Sequence, residues 1–285
     1  MKTITVGGVP EHFNLPWHRC IENGKFEAHG VKVIWKEFPE GTGAMCKALR
    51  SKEIDAAVIL TEGVIRDIIN GSKSKIIQTY IASPLIWGIH VDAASPFKNI
   101  QDLKGTKAAI SRMGSGSHLM AYVNAEHMDW DTSSLKFEII NNLEGAIEAL
   151  KNDEAQYFMW EHFTTKPLVD NKTFRLIADC PTPWPCFVIA ANESSLDEKS
   201  AELKIMLEVL NSETKDFKLQ KNIDVELAER YNQQLEDIRK WMDLTSWSQE
   251  QISEKDIEKV MDKLLDLNLI DSKVETSRIR HSLEK

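Results

Sequence analysis

The chain carries one sequence pattern twice, and this repeat constrains its fold more than any other feature. Residues 48–55 read as the charged end of a helix and a tight turn, and they lead into the apolar residues 56–60. The same pattern returns 101 residues later, where residues 149–156 lead into residues 157–160. Both apolar segments stop at polar residues. Each copy therefore predicts a helix, a turn and a short buried strand with a polar carboxyl end.

Two such units predict two α/β lobes with a cleft between them. The alternation of strand and helix patterns predicts a mainly parallel sheet in each lobe, flanked by helices. In open sheets of this kind, ligands bind in the crevice beyond the carboxyl ends of the strands. The polar residues that follow the two apolar segments are therefore the first candidates for a binding site.

Two expected crossings of the chain set the boundaries of the lobes. A β-rich run at residues 76–91 is interrupted by Ser83-Pro84, and another strand is predicted at residues 186–191. The remaining sequence reads as a charged helical tail, expected to pack on the first lobe and to fray over residues 277–285. The predicted lobes are residues 1–84 with 192–285, a discontinuous first lobe that includes the tail, and residues 85–191.

Composition argues against several classes of function. The 285 residues carry a net charge of −9 without a long basic run, so nucleic acid and anionic membranes are not expected as partners. No stretch approaches the roughly 20 apolar residues of a membrane-spanning helix. The four cysteines form no CxxC pair and no zinc-like spacing, so reduced thiols are expected, with no metal and no cofactor.

The amino-terminal residues show no signal peptide. Met1-Lys2 leads straight into a predicted strand, without the apolar segment of a leader. The sequence as it stands therefore predicts a cytoplasmic protein. A leader that was removed and replaced by Met would instead place the protein in the periplasm or outside the cell.

Two glycine-containing loops lie between a predicted strand and a predicted helix. In the second lobe, Ser115, Gly116 and Ser117 could bind an anion with hydroxyls and free amides at a helix amino terminus. The alternative is a flexible loop with an ordinary serine cap. In the first lobe, Thr42 and Gly43 form the counterpart, with Thr42 as the expected N-cap.

Carboxylates follow two strands of the first lobe. Glu11 and His12 come after the first strand, and Thr61 and Glu62 come after the third. Glu11 and Glu62 are expected near the cleft floor, where they could hold a cationic or amidine-like group. They could equally be a solvated rim or charges at helix amino termini. The scattered histidines do not require a shared metal site.

Aromatic residues and one more carboxylate complete the candidate site. Glu161 ends the second repeat after Trp160, and a buried strand has no packing need for a carboxylate there. We therefore expect Glu161 to face the cleft. Trp184 lies between two prolines and is expected to form a cleft wall, although core packing is the ordinary role of tryptophan. No catalytic motif is recognisable, and no catalytic residue is predicted.

The ordered segments 41–43, 48–49, 55–57, 61–63 and 114–117 resemble the type 2 periplasmic-binding-protein-like family. The resemblance is greatest to the nitrate-, sulfonate- and taurine-type ABC substrate-binding proteins and to their thiamine-pyrimidine-related relatives. Residues 160–167 and 182–187 resemble a leaderless subgroup from bacteria and fungi. The clustered-cysteine motif of the pyrimidine-synthase branch is missing, so its suicide chemistry is not expected.

This resemblance implies a two-lobe fold joined by a two-strand hinge that closes about a ligand. The cleft residues it implies are Glu11, Thr42, Glu62, Ser115, Ser117, Trp160, Glu161 and Trp184. The expected function is binding of a small polar or anionic organic molecule, such as a sulfonate, a carboxylate or a pyrimidine-like compound. The chain would then be a solute-binding protein of ABC-transporter type, with a permease as partner, or a cytosolic relative.

Two other classes of function stay open. The first is a small-molecule enzyme of the same fold that uses cleft carboxylates as acid and base. The second is a cytosolic sensor that acts through a partner protein. Turnover of the bound compound would favour the enzyme.

Overall fold

A computed structural model of the protein describes residues 1–283, and the chain divides into two compact units. Unit 1 contains residues 1–83 and the chain from Trp184 onward, and unit 2 contains residues 84–183. The strands are β1 (Lys2–Gly8), β2 (Val31–Glu37), β3 (Ala56–Leu60), β4 (Lys75–Ile81), β5 (Ile86–Asp92), β6 (Lys107–Ile110), β7 (Lys136–Ile139), β8 (Tyr157–Glu161), β9 (Phe174–Pro181) and β10 (Phe187–Ala191).

Helices alternate with the strands and then dominate the last third of the chain. They are α1 (Leu15–Glu22), α2 (Lys25–Ala28), α3 (Thr42–Arg50), α4 (Thr61–Ile69), α5 (Gly116–His127), α6 (Leu143–Lys151), α7 (His162–Asp170), α8 (Glu193–Glu198), α9 (Ser200–Lys215), α10 (Ile223–Arg230), α11 (Leu235–Leu244) and α12 (Glu254–Asp266). Across residues 1–283, no helix has the length and apolar character needed to cross a membrane.

Each unit contains one five-stranded sheet, and the two sheets follow the same plan. The strand order is β2-β1-β3-β10-β4 in unit 1 and β7-β6-β8-β5-β9 in unit 2. In unit 1, β1 is parallel to β2 and β3, whereas β10 is antiparallel to β3 and β4. In unit 2, β6 is parallel to β7 and β8, whereas β5 is antiparallel to β8 and β9. In each sheet four of the five strands therefore run in the same direction and one, β10 or β5, runs opposite to them. The predicted mainly parallel sheets are confirmed, each with one antiparallel strand inserted.

The repeated sequence adopts the same conformation in both units, as predicted. After α3 and α6, Lys52 and Asp153 take left-handed φ angles of 60° and 58°. The next amide then turns back to the preceding helix, so that the N–H of Glu53 donates to the Ala48 carbonyl and that of Glu154 to the Ala149 carbonyl, both at 2.9 Å. This turn aims the chain directly into the buried strands β3 and β8.

The residue that enters each repeated strand also ties it to its parallel neighbour. The Asp55 carboxylate accepts from the Thr5 backbone N–H at 2.8 Å, and the Gln156 side-chain oxygen accepts from the Lys107 backbone N–H at 2.9 Å. Asp55 additionally accepts from the Ser195 hydroxyl at 2.6 Å and pairs with Lys199 at 2.8 Å. Asp55 therefore connects β1, β3 and the first helices after β10.

The carboxyl-terminal segment covers the outer edge of β4. The N–H groups of Ala82 and Thr79 donate to the carbonyls of Ser246 and Glu250, each at 2.8 Å. Farther along the chain, the N–H of Ile76 donates to the carbonyl of Ile279, which is fully buried. The tail packs on unit 1 as predicted, but the predicted fraying is wrong for residues 277–281, because they bond to β4. Residues 284–285 lie outside the described residues.

The predicted second boundary differs from the one in the structure. The prediction gave residues 187–191 to the second lobe, whereas β10 lies between β3 and β4 in the sheet of unit 1. The β-rich run at residues 76–91 is also two strands, β4 and β5, rather than one crossing strand. They separate around Pro84, because proline has no N–H to give to a sheet ladder.

We expect Asp55→Ala to lower the free energy of unfolding by about 3 kcal/mol and Gln156→Ala by about 1 kcal/mol. Asp55 loses bonds to a backbone amide, a hydroxyl and an ammonium group, whereas Gln156 loses one strand-to-strand bond. Urea denaturation followed by circular dichroism measures both losses. Equal losses would show that the additional bonds of Asp55 contribute nothing.

Candidate functional site

The carboxyl end of β3 runs straight into α4, and the segment before β10 is fastened to this junction. The N–H of Thr61 donates to the Cys186 carbonyl at 3.0 Å, and the Thr61 hydroxyl donates to the Pro185 carbonyl at 2.6 Å. Thr61 is fully buried. Its predicted place at the end of β3 is correct, and its hydroxyl has a structural partner there.

Glu62 is a buried carboxyl group with one oxygen left without a partner. It is the second residue of α4 and is 3% exposed. The Trp184 indole N–H donates to its Oε2 at 2.9 Å, whereas Oε1 is buried without a hydrogen-bond partner. Burial raises the pKa of Glu62 to about 7, although its own backbone N–H and the Trp184 indole act in the opposite direction. This carboxyl therefore sits near its titration point at neutral pH.

Trp184 takes part in this arrangement as a hydrogen-bond donor. The sequence predicts a cleft wall, and the structure shows a ring that is 2% exposed. Its N–H fixes the orientation of the Glu62 carboxyl group. The two side chains are 122 positions apart in sequence, and the antiparallel pairing of β10 with β3 brings them together.

Thr42 and Gly43 lie in the first turn of α3, close to the start of α4. A methyl group added at Gly63 would meet the Thr42 Cγ2 at 2.2 Å, so the two helices can approach only because Gly63 has no side chain. The prediction that Thr42 is the N-cap is wrong. Gly41, with a φ of 76°, is the residue before the helix, and no side chain caps it. The N-cap position is therefore one residue earlier than predicted, and the Thr42 methyl group packs close to Gly63.

The end of β1 lies at the same edge of the sheet, because β1 and β3 are parallel neighbours. Glu11 is half-buried there. His12 is 2% exposed and lies against Trp241, with ring centroids 4.3 Å apart. Burial lowers the pKa of His12 to about 3, so its ring is neutral. His12 is a predicted ligand-binding candidate, and in unit 1 its ring packs against Trp241 of α11. Contact of His12 with a ligand stays a prediction.

Asn14 was not predicted as a site residue. Like Glu62, it has a buried side-chain oxygen without a hydrogen-bond partner. Its amide nitrogen donates to the Val9 carbonyl at 2.8 Å, while its buried Oδ1 has no hydrogen-bond partner. The only sequence signal was its position just after the first predicted strand. The carboxyl edge of β1 and β3 thus presents two unpartnered buried acceptor oxygens.

In unit 2, the buried carboxyl group of Glu161 has a structural partner. Glu161 is the last residue of β8 and caps α7, where its Oε2 accepts from the Thr164 N–H at 2.6 Å. Burial raises the pKa of Glu161, and the bonds from the backbone of α7 oppose that shift. The Trp160 ring packs on the rings of Phe158 and Trp87, with centroids 5.4 Å and 6.3 Å away. The sequence offered no structural role for this carboxylate, and the helix cap supplies one. Ligand contact through Glu161 and Trp160 stays a prediction.

The serine loop of unit 2 is bonded within itself. Ser115 caps α5 by accepting from the His118 N–H at 3.3 Å. The Ser117 hydroxyl accepts from the Ser111 N–H and shares a bond with the Ser115 hydroxyl, both at 3.0 Å. The alternative of a serine cap is therefore confirmed. Ligand contact through Ser115, Gly116 and Ser117 stays a prediction.

Two further polar pairs in unit 2 were beyond sequence reasoning. His90 Nε2 lies 2.9 Å from the Thr165 hydroxyl, and His162 Nδ1 lies 2.7 Å from an Asp179 carboxylate oxygen. Each pair joins a strand to α7, and the partners are 75 and 17 positions apart in sequence. Within the part of the chain that the structure describes, no three metal-ligating side chains come together.

Comparison with known proteins identifies the fold. A family model described as Ca3427-like PBP matches residues 87–180. The structure of the Candida albicans CA3427 gene product, described as having the generic periplasmic binding protein fold, is 26% identical, with 98% of this chain and 94% of that chain covered and a TM-score of 0.87. A search of curated protein sequences found no match.

Two bacterial sulfonate-binding proteins share the fold at lower identity. The alkanesulfonate-binding protein SsuA from Xanthomonas axonopodis pv. citri, bound to MOPS, is 14% identical, with 98% of each chain covered and a TM-score of 0.81. The periplasmic aliphatic sulphonate binding protein SsuA from Escherichia coli is 15% identical, with 98% of this chain and 92% of that chain covered and a TM-score of 0.74. The predicted resemblance and the predicted periplasmic-binding-protein fold are confirmed.

We expect Glu62→Gln to gain stability relative to the wild type as the pH rises from 4.5 to about 7. The Glu62 carboxyl keeps its proton in the folded protein up to about pH 7, whereas in the unfolded chain it ionises near its ordinary pKa of 4.5. Folded Glu62 therefore binds more protons across this interval, and wild-type stability falls with rising pH by up to about 3 kcal/mol. Urea denaturation of both proteins at pH 4.5 and 8 measures the difference. A pH-independent difference would mean that Glu62 ionises normally.

Proposed function

We propose that this chain reversibly binds a small polar or anionic organic molecule and leaves it chemically unchanged. The observation that carries the proposal is the Glu62 carboxyl group, which is held by Trp184 through one oxygen and buried without a partner at the other. A buried polar atom without a hydrogen bond costs free energy, and a ligand that bonds to it recovers that cost.

The fold supports binding as the general function. Structural neighbours include proteins described as alkanesulfonate- and aliphatic-sulphonate-binding, and another is described as the ligand-binding component of an ABC-type import system. Their identities of 13–15% carry the fold but not the ligand. A sulfonate, a carboxylate and a pyrimidine-like compound are all included in the proposal.

A role in transport is a further part of the proposal. The chain would deliver its ligand to an ABC-transporter permease, or would act as a cytosolic relative without one. For the sequence as it stands we propose the cytoplasm. A removed leader would place the protein in the periplasm or outside the cell, where a permease would be the partner.

One observation favours a second candidate function. A general acid or base works best with a pKa near the operating pH, and burial raises the pKa of Glu62 to about 7. An enzyme of the same fold could use this carboxyl to move a proton on a bound substrate. The fate of the bound compound separates the two functions.

We expect native mass spectrometry of the purified protein to detect one small organic compound bound per chain. After incubation with an excess of the identified compound, its mass and quantity should be unchanged, because a binding protein releases what it takes up. A blank incubation without protein is the control. Time-dependent conversion would establish the enzyme, and failure of any small organic compound to bind would refute both functions.

Closure about the ligand is the remaining prediction. The two units are joined by two chain connections, at residues 83–84 and 183–184, which is the arrangement in which hinge closure occurs. We expect the radius of gyration in small-angle X-ray scattering to decrease when the identified compound is added to saturation. A scattering curve that does not change would argue against closure.

A further inference from the structure

We propose that the group that binds at Glu62 is a planar N–H donor cation of the amidinium or guanidinium type, rather than a sulfonate or a carboxylate. This inference rests on the proposed function and narrows its ligand class at the same site: it keeps polar compounds that donate N–H groups and excludes the anionic ones. It follows from which atoms at the carboxyl edge of β1 and β3 have no partner, and from the charges of the groups around them.

At the carboxyl edge of β1 and β3, the oxygen atoms without a hydrogen-bond partner can accept hydrogen bonds but cannot donate them when Glu62 is ionised. Glu62 Oε1 and Asn14 Oδ1 are buried without hydrogen bonds, and both residues are at least 97% buried. The Asn14 amide nitrogen is already used on the Val9 carbonyl, so only the oxygen is left for another molecule. A sulfonate or carboxylate has only acceptor oxygens and cannot satisfy another acceptor. An amidinium donates through several N–H groups in one plane.

The charges of the groups around Glu62 also favour a cationic ligand. On α4, Arg66 donates its Nε to the Leu269 carbonyl, and Asp67 is paired with Arg50. The groups that act on the Glu62 pKa are its own backbone and Trp184, neither of which carries a positive charge. His12, at the end of β1, is neutral because it is buried. Among residues 1–283, no cationic side chain acts on this carboxyl group to offset its charge.

An anionic ligand would therefore meet an unfavourable environment. Beside an ionised Glu62 it would be repelled, and a protonated Glu62 could give it only one hydrogen bond. A cationic ligand instead supplies the charge that a buried carboxylate requires. Several neutral nitrogen atoms of unit 1 also lack partners, but a neutral donor does not neutralise an anion. They are His12 Nε2 and the indole nitrogens of Trp17, Trp35, Trp241 and Trp247.

The hydrogen bond at Glu62 Oε2 fixes the orientation of the other carboxyl oxygen, Oε1. The Trp184 indole N–H holds Oε2 at 2.9 Å, so the carboxyl group is oriented before a ligand arrives. Planar N–H donors pair well with a carboxylate because their N–H groups match its geometry. The Trp184→Phe variant keeps an aromatic ring and removes this orienting bond.

Three probes with one aromatic ring and different polar groups test the inference. Isothermal titration calorimetry at pH 8 should show benzamidine binding about 10-fold or more tightly than benzoate or benzenesulfonate, since about 1.4 kcal/mol separates each factor of ten and a bond to a charged group contributes at least that. Glu62→Gln should weaken benzamidine binding by a similar factor, and Trp184→Phe should weaken it by less.

Glu144→Gln is the matched control. Glu144 is also the second residue of its helix, α6, but it is exposed and lies in unit 2. This substitution removes the same charge from the chain and should leave benzamidine binding unchanged. Circular dichroism of each variant establishes that it is folded. Equal weakening by Glu144→Gln and Glu62→Gln would mean that net charge, rather than the site, attracts the probe, and would overturn the inference.

The remaining outcomes separate this inference from the proposed function. Tighter binding of benzoate or benzenesulfonate than of benzamidine would overturn the amidinium class and leave small-molecule binding intact. Undiminished benzamidine binding by folded Glu62→Gln would also overturn it. If none of the three probes binds, the inference fails, while the proposed function is still decided by the compound that co-purifies.

Discussion

The antiparallel strand β10, placed between β3 and β4, is the constraint on which the candidate site depends. Its amino end lies beside the carboxyl end of β3, with Phe187 opposite Leu60. The residues just before β10 are therefore delivered to the start of α4, where Thr61 bonds to two of their carbonyls. Without this strand the Trp184 indole could not reach Glu62. In unit 2, β5 has the same relation to β8, with Trp87 opposite Glu161.

The burial of Glu62 is costly for the folded protein and is offset elsewhere. Around it the sheet of unit 1 is apolar, and residues such as Val58 and Ile59 are fully buried. Apolar burial of this kind contributes roughly 1.5–3 kcal/mol for each large side chain. A domain with such a core tolerates one carboxyl group whose ionisation is unfavourable. Strongly perturbed carboxyl groups are concentrated at functional sites, which is the physical reason for placing the ligand there.

The local features of the fold could be predicted from the sequence, because short-range chemistry determines them. The two repeats, with their turns at Lys52 and Asp153, depend on residues that are neighbours in the chain. The antiparallel insertion of β10 could not be read in the same way. Its register with β3 and β4 depends on contacts between residues more than 100 positions apart.

The site was partly predictable for the same reason. Glu62 and Trp184 were both identified as candidates, but their hydrogen bond requires the tertiary fold. The packing of His12 against Trp241, more than 200 residues away, could not be read from the sequence for the same reason. Ser115 and Ser117 attracted attention as polar residues in a glycine loop, and the structure shows that much of their hydrogen-bonding capacity is used inside that loop.

The two buried carboxyl groups show how one position in the chain changes the role of a residue. Glu161 aligns with Leu60 in the repeat, so it lies just before its helix and its side chain can cap the free N–H of Thr164. Glu62 lies two positions later in the repeat, inside the first turn of α4, where Leu60 rather than a polar residue precedes the helix. From there one carboxyl oxygen is held by Trp184 and the other has no protein partner. The same residue type at the end of equivalent strands is thus a helix cap in unit 2 and an open acceptor in unit 1.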